Sequence, residues 1–211
     1  RIADPTLAAA MLVLQPLLNQ LGAAVLTAGA VFVRISAIVF LLPGFGERMM
    51  PMRVKLGVAM AFAFFAWAPV MADAPTLTAD LSSFGVAYAG EAISGLLIGF
   101  SVRVMVFALQ IAGVMAAQSF SLSQMFGPTV TDNAEPTIAT LLTLGGITLA
   151  VTLGLHVKAT MLIIDSYHVL PLGTFPVGAD AAAWTTSRVS AAFSLAISIA
   201  TPFLVVAFVY N

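Results

Sequence analysis

Residues 84–117 read FGVAYAGEAISGLLIGFSVRVMVFALQIAGVMAA, an apolar run that contains only two charged side chains, Glu91 and Arg103. About 20 apolar residues suffice to cross the hydrocarbon core of a bilayer at 1.5 Å per residue. The run is therefore either one long tilted helix or a hairpin that bends near Arg103. Both structures place it in a membrane.

The composition of the whole chain agrees with this placement. Hydrophobic residues make up 61% of the 211 residues and charged residues only 8%, whereas soluble domains contain about 45 to 50% apolar residues. The mean hydropathy is +1.06. We therefore predict an all-α, polytopic membrane protein built of kinked helical hairpins. The net charge of −1 indicates no nucleic-acid partner, and the absence of cysteine excludes thiolate chemistry and disulfides.

Several other apolar segments flank this run. They span residues 7–29, 31–42, 54–72, 137–155, 159–170 and 189–210. Segments 31–42 and 159–170 are short and contain charges, so we interpret them as parts of hairpins or kinked helices rather than independent spans. Pro16 and Pro202 interrupt apolar runs and predict bent helices, because each removes a backbone donor.

The distribution of charge in the loops suggests a topology. The loop 44–55 holds Glu47, Arg48, Arg53 and Lys55, and short loops rich in Lys and Arg stay in the cytoplasm. The next loop, residues 73–83, contains acidic residues and no basic residue, which suits the opposite face of the membrane.

Small residues recur at a spacing of four. Gly95 and Gly99 form one such pair, and Ser190, Ser194 and Ser198 form a second stripe. In lipid, helices associate by close packing, so small residues predict helix contacts. The sequence does not indicate whether those contacts lie within this chain or with another subunit.

Four charged residues lie within or near the apolar runs: Arg34, Glu91, Arg103 and Asp165. A charge at the centre of a membrane helix costs roughly 2.5 to 3.5 kcal/mol, so each should face protein or water. Glu91 and Arg103 lie about 120° apart around a straight helix and about 18 Å apart along it, so they need either a bend in the helix or partners on other helices. An ion or proton relay is one interpretation, and interior ion pairing is the one we favour.

Catalysis is not indicated by any constellation in the chain. His156, Asp165 and His168 do not have the spacing of a metal site, no GxSxG nucleophile motif is present, and no phosphate-binding GxxxxGK[ST] loop occurs. We therefore expect a protein that is not an enzyme and has no metal or other cofactor.

The segment that follows the long run mixes apolar and polar residues and then breaks at a Gly-Pro pair. Irregular backbone at membrane depth persists only inside protein or along a water-filled cavity. We therefore interpret the segment as a plug that closes a conduit, with an ordinary connecting loop as the alternative. The candidate plug residues are Ser119, Phe120, Leu122, Gln124, Met125, Phe126, Gly127 and Pro128.

An ordered series of motifs resembles the flagellar biosynthesis protein FliR family. The series comprises Arg34-Ile-Ser-Ala with Pro43, Glu47-Arg48, Pro51–Gly57, Glu91, Gly95–Phe100, Ala112-Gly113, Gly154-Leu-His156, Asp165–Gly173 and Pro176-Val177. The resemblance covers about residues 30–210. In the candidate plug the chain departs from the family, whose members usually have a run rich in Gly and Phe that ends in Asp-Pro.

The resemblance implies a role in the export gate of a bacterial type III secretion apparatus in the inner membrane, at the flagellar basal body. The implied partners are FliP, FliQ, FlhB and FlhA proteins, unfolded export substrates in transit and membrane lipid. Residues 1–211 would form a single helical export-gate domain that lacks the hydrophobic C-terminal region of the family. A transporter or channel subunit for a small solute, or a structural subunit without a conduit, are the alternatives.

Overall fold

A computed structural model of the chain describes residues 5–47, 50–73, 81–119 and 137–210, and every regular element in these ranges is a helix. The helices are α1 (Pro5–Leu41), α2 (Met52–Asp73), α3 (Leu81–Ser119), α4 (Thr137–Thr152), α5 (Leu155–Val169) and α6 (Gly178–Tyr210). Helices α1, α2, α3 and α6 are each long and apolar enough to cross a membrane, and α4 with α5 forms one bent pair. The prediction of an all-α, multi-pass membrane protein is confirmed.

Helix α3 is continuous, so residues 84–117 form one long helix and not a hairpin. Its 39 residues extend to roughly 58 Å at 1.5 Å per residue. A hydrocarbon core is about 30 Å thick, and membrane helices tilt by at most about 40°. Part of α3 must therefore lie beyond the hydrocarbon core.

The first and last helices are longer than the apolar segments suggested. Residues 7–29 and 31–42 belong to the single helix α1, which contains Pro16 without ending there. Helix α6 begins at Gly178, well before the apolar segment 189–210. Hydropathy missed this first part because it contains Asp180 and Arg188, although its alanines favour helix and Asp180 lies in the first turn, where it complements the helix dipole.

Helix α3 is the axis around which α1, α4 and α6 pack. Its N-terminal half runs parallel to α1, since Tyr88 contacts Leu26 and Glu91 contacts Arg34. Its C-terminal half runs parallel to α6 and antiparallel to α4, where Gly113 meets Ala139. Each half of α3 therefore contacts a different group of helices.

Close backbone approach holds α1 against α3. A Cβ atom on Gly95 would collide with the carbonyl oxygen of Arg34, and one on Gly99 would stand 2.9 Å from Cβ of Leu41. The predicted packing role of Gly95 and Gly99 is confirmed, because only glycine permits these contacts.

The small-residue stripe of α6 lies on a different face from the predicted one. Ala192, Ala196 and Ala200 are buried against Val104, Ala108 and Ala112 of α3. The serines at 190, 194 and 198 are exposed on the opposite side, so of the two predicted possibilities packing within this chain is excluded, and packing on another subunit stays a prediction. Their four-residue spacing matched that of the alanines, and only the tertiary contact selects between two such stripes.

The bend between α4 and α5 measures 75°. It occurs at Gly154, whose φ of 80° lies in the left-handed region that glycine adopts without strain. The interpretation of segment 159–170 as part of a kinked helix is confirmed. The bend carries the chain from the C-terminal half of α3 towards its N-terminal half.

Replacing Ala196 by Leu tests the seam between α3 and α6. Ala196 is fully buried, so the larger side chain should overpack the seam and destabilise it by about 1 to 3 kcal/mol. The measurement is the fraction of protein that stays monodisperse in detergent extracts over a temperature series. The matched control is Ser194→Leu on the exposed side of α6; equal losses in both variants would contradict the assigned packing face.

Candidate functional site: a buried ion-pair network

Arg34 of α1 and Glu91 of α3 form a bidentate ion pair in the interior. Arg34 Nε donates to Glu91 Oε2 over 2.7 Å, and Nη2 donates to Oε1 over 2.9 Å. Both side chains are 0% exposed. Two parallel charge-assisted hydrogen bonds fix the relative position of the guanidinium and the carboxylate as well as neutralising both charges.

The end of α5 and the turn after it complete the network. Arg34 Nη1 donates to the carbonyl oxygen of Leu170 over 2.9 Å and lies 3.4 Å from both oxygens of Ser166. The N–H group of Gly173 donates to Glu91 Oε1 over 2.8 Å. The last carbonyls of a helix lack intrahelical partners, and Arg34 supplies one here. The pair therefore ties α5 to both α1 and α3.

An aromatic ring and a glycine shape the walls of the site. The guanidinium carbon of Arg34 lies 3.9 Å from the ring centroid of Tyr167, a cation–π contact that is stronger when the cation is desolvated. On the other side, a Cβ atom on Gly90 would stand 2.7 Å from the carbonyl oxygen of Thr174. Gly90 thus allows the turn after α5 to approach α3.

A second ion pair joins the loop after α1 to the middle of α3. Arg103 Nη1 lies 2.7 Å from Glu47 Oε1, with side chains 21% and 38% exposed. The guanidinium carbon of Arg103 also lies 5.5 Å from the ring centroid of Phe107. Because this pair is partly exposed, it contributes at most about 1 kcal/mol. It stabilises the loop more weakly than the buried pair stabilises the helices.

The structure separates the four charged residues proposed from the sequence. Glu91 and Arg103 do not pair with each other but with Arg34 and Glu47 on other elements. Asp165 lies next to Ser166 in sequence yet points away from the network, because its side chain is exposed. Arg34 and Glu91 therefore lie together in a buried site, Arg103 belongs to a partly exposed pair, and Asp165 lies on an exposed face of α5.

The structure describes only the first residue of the candidate plug. Ser119 ends α3, and its hydroxyl donates to the carbonyl oxygen of Met115 over 2.7 Å. The other candidate plug residues, Phe120, Leu122, Gln124, Met125, Phe126, Gly127 and Pro128, lie outside the described residues.

Sequence reasoning missed most partners of the buried pair. Ser166, Tyr167, Leu170 and Gly173 all lie in the segment 165–173, from which only the charged Asp165 was selected. A turn signal was present, since Pro171 and Gly173 follow the apolar segment, and Gly173 has a φ of 77°. That signal predicts a turn but not a turn that contacts Arg34 and Glu91.

The chemistry of the network is that of a clamp. Each nitrogen atom of the Arg34 guanidinium group donates a hydrogen bond to a protein oxygen. A buried charge requires such hydrogen bonds, because it has lost its contacts with water. In the part of the chain that the structure describes, no group of three His, Asp or Glu side chains could hold a metal ion. The geometry therefore supports positioning of helices rather than ligand binding.

Comparisons with known proteins identify relatives over most of the chain. The sequence profile of the family described as "Bacterial export proteins, family 1" matches residues 25–211. The flagellar biosynthetic protein FliR of Caulobacter vibrioides is 30% identical over 189 residues, which cover 89% of this chain and 75% of that protein. The flagellar biosynthetic protein FliR of Escherichia coli K12 is 28% identical over 184 residues, which cover 84% and 68%.

Removing one member of the buried pair should be far more damaging than removing one member of the exposed pair. Glu91→Ala leaves Arg34 buried and unpaired, which costs about 3 to 5 kcal/mol, whereas Arg103→Ala should cost at most about 1 kcal/mol. The double variant Arg34→Met/Glu91→Leu should recover part of the loss, because it leaves no buried charge. The measurement is again the monodisperse fraction in detergent over a temperature series.

The double variant distinguishes two causes of destabilisation: an uncompensated buried charge, and the loss of the hydrogen bonds that the pair makes to Leu170 and Gly173. If Arg34→Met/Glu91→Leu is no better than Glu91→Ala, then the hydrogen bonds to Leu170 and Gly173 matter more than the uncompensated charge. If Glu91→Ala is no worse than Arg103→Ala, the buried pair is not the main support of the fold.

Proposed function

Because the chain belongs to family 1 of the bacterial export proteins, we propose that it is a structural subunit of a protein-export gate and that residues 119–128 close the conduit of that gate. The general role follows from the relatives, which are flagellar biosynthetic proteins matched over most of their length. The chain is a multi-pass inner-membrane component of bacterial flagellar, or type III, protein export. Nothing in the comparisons favours a transporter for a small solute.

The observation that carries the proposal of a shared gate is the large apolar surface that the chain leaves uncovered. Only 17% of the residues in an 18-residue apolar stretch of α6 within Gly178–Val206 are buried, since α6 packs on α3 by a single stripe of alanines. Helix α3 is also too long for its whole apolar length to lie in the hydrocarbon core. Apolar helix beyond the core needs protein to cover it, and other subunits of the export apparatus supply that cover.

The partners of this subunit are other membrane proteins of the export apparatus. We assign these positions to FliP, FliQ, FlhB and FlhA proteins, and we assign unfolded export substrates to the conduit. The subunit itself performs no catalysis, and its buried network holds the helices in position. Energy for export then comes from other components.

Closure of the conduit is assigned to the segment that follows α3. Phe120, Leu122, Met125 and Phe126 are bulky apolar groups, and apolar constrictions oppose wetting and ion passage. Methionine is flexible and polarisable, which suits a seal that must deform around many substrates. This assignment rests on the sequence and on the position of the segment between α3 and α4.

Purification from native membranes tests the subunit role. A tagged chain extracted in mild detergent should be recovered in a large complex with other membrane proteins of the export apparatus, because its exposed helix faces need cover. Mass spectrometry of the complex identifies those proteins. Recovery as a stable, well-folded monomer would count against the export-gate role.

The same complex separates assembly from transport. Glu91→Ala should reduce the yield of intact complex more than it reduces export per assembled complex, because Glu91 positions helices. Normal yield combined with arrested export or altered ion coupling would instead favour the relay interpretation.

Shortening the candidate plug should make the membrane leak. Deletion of residues 120–126 in cells that assemble the complex should increase uptake of a small ion and inhibit growth, since it removes the bulky closing groups. A length-preserving variant, with Ser in place of Phe120, Leu122, Met125 and Phe126, should leak as well. Replacing Ser121 and Ser123 by Ala is the matched control and should not.

If the control variant also leaks, the leak reflects general damage to the complex. If the deletion assembles normally and adds no permeability, residues 119–128 form an ordinary connecting loop and the conduit closes elsewhere.

A further inference from the structure

A groove runs between α3 and α6 beside the seam in which their alanines pack. Its volume is about 350 Å³, within the range of about 300 to 1,000 Å³ that is usual for ligand sites. Its walls include Phe100, Val104 and Phe107 of α3 and Val189 and Phe193 of α6. These side chains are apolar and three of them are aromatic, so the groove suits an apolar chain.

A basic side chain lies at one end of this groove. Arg188 precedes Val189 on α6, and its guanidinium carbon lies 4.2 Å from the ring centroid of Trp184. Nε1–H of Trp184 donates to Oγ of Ser101 over 2.8 Å, and Ser101 follows Phe100 on α3. The contacts through Trp184 therefore hold the guanidinium beside the end of the groove.

The part of the chain that the structure describes supplies no counter-charge to Arg188. Nε of Arg188 is buried and has no hydrogen-bond partner there, and the ion pairs found there join other side chains. The chain on either side of α3 is joined to it at Leu81 and Ser119, which lie roughly 30 and 27 Å from Ser101 at 1.5 Å per residue. A buried donor without an acceptor is costly, so an anion beside Arg188 is favourable.

The position of Arg188 along α6 places it at the edge of the hydrocarbon core. Residues 189–210 contain no charged side chain and extend to roughly 33 Å, close to the core thickness of about 30 Å. Asp180 and Arg188 both precede this run. When α6 crosses the membrane, the uncharged run lies in the core, and Arg188 lies with Trp184 at one interface, where tryptophan is enriched.

A second polar group lies at the same level of the molecule. Arg103 follows Ser101 by two residues on α3, and it pairs with Glu47. Both members of that pair are partly exposed. The level at which Arg188 lies is therefore polar on α3 as well as on α6.

We propose that the groove between α3 and α6 holds one anionic phospholipid, with an acyl chain along the groove and its phosphate on the Arg188 guanidinium. The occupant must bring an apolar chain and, at the edge of the hydrocarbon core, a negative charge, and an anionic phospholipid has both. A guanidinium binds phosphate through parallel N–H···O bonds. The bound chain fills the space that the seam leaves open and so supports the position of α6.

This site is separate from the surfaces assigned to other subunits. The exposed serines of α6 lie about 140° around the helix from the centre of the groove residues, at 100° per residue, so a lipid in the groove leaves their side free. The site requires only that α6 crosses the membrane, and it does not rest on the proposed export function.

Photocrosslinking from within the groove tests the occupant. A photoreactive benzoylphenylalanine replaces Phe193, which is 53% exposed, and the matched control is the same replacement of Val205, which is 56% exposed on the same helix outside the groove. The purified protein, in its complex where it forms one, is placed in nanodiscs that contain equal amounts of phosphatidylglycerol and phosphatidylcholine. Mass spectrometry then counts the two lipid adducts at each position.

Position 193 should favour the anionic lipid over phosphatidylcholine by roughly fivefold, the factor that one arginine contributes near an anionic membrane surface. Position 205 should show no preference. Arg188→Gln should abolish the preference at position 193, and Arg188→Lys should keep most of it, because a point charge also binds phosphate. Arg53→Gln, which removes an exposed cation at the start of α2, is the control and should change nothing.

Raising the salt concentration should weaken the preference in the protein with Arg188 intact, so the test does not depend on the folding of any Arg188 variant. Equal lipid ratios at positions 193 and 205 would overturn the proposal in favour of bulk lipid. A protein adduct at position 193 would overturn it in favour of a partner helix. An unchanged preference in Arg188→Gln would mean that another group neutralises Arg188 and would overturn its role. Each of these outcomes leaves the export function to be decided by recovery of the complex.

Discussion

The ion pair between Arg34 and Glu91 is the constraint on which the rest of the structure depends. Removing two charges from water is favourable only when the geometry is good and every remaining donor and acceptor is satisfied. Here the requirement reaches beyond the pair, because Leu170, Ser166 and Gly173 complete its hydrogen bonds. The position of one side chain on α1 therefore fixes where α3 passes and where α5 ends.

Helix α3 connects this ion pair to the rest of the fold. Its first half accepts α1 through Gly95 and Gly99, and its second half accepts α6 through alanines. In a membrane such close contacts replace the hydrophobic effect as the force between helices. The bend at Gly154 then lets α4 contact the second half of α3 while the turn after α5 reaches the first half. The result is a rigid centre with an outer surface that the chain alone cannot cover.

That division between a rigid centre and an uncovered surface suits a subunit of an export gate. A gate must hold its own helices in fixed positions while other subunits and substrates move against it. The buried network provides the first property, and α6, of whose apolar stretch little is buried, leaves surface uncovered by this chain. Function in this protein therefore depends on where its helices are placed.

The sequence by itself determined the class of the protein, most of its membrane segments and its family. Length and hydropathy suffice for the class and the membrane segments, because a bilayer imposes a fixed thickness on any segment that crosses it. The family followed from the resemblance of an ordered series of motifs. The sequence also identified Arg34, Glu91 and Arg103 as residues that need partners, since a charge in an apolar run is costly wherever the run folds. None of these conclusions required knowledge of which helix lies beside which.

Only the tertiary structure decided the partners. Arg34 and Glu91 are far apart in the chain, and Ser166 and Gly173 are neutral residues that no charge pattern identifies. Likewise, the alanine and serine stripes of α6 have the same periodicity, and contact with α3 alone buried the alanines. Periodicity in one helix specifies a face but not its neighbour, because the neighbour depends on the backbone path of the whole chain.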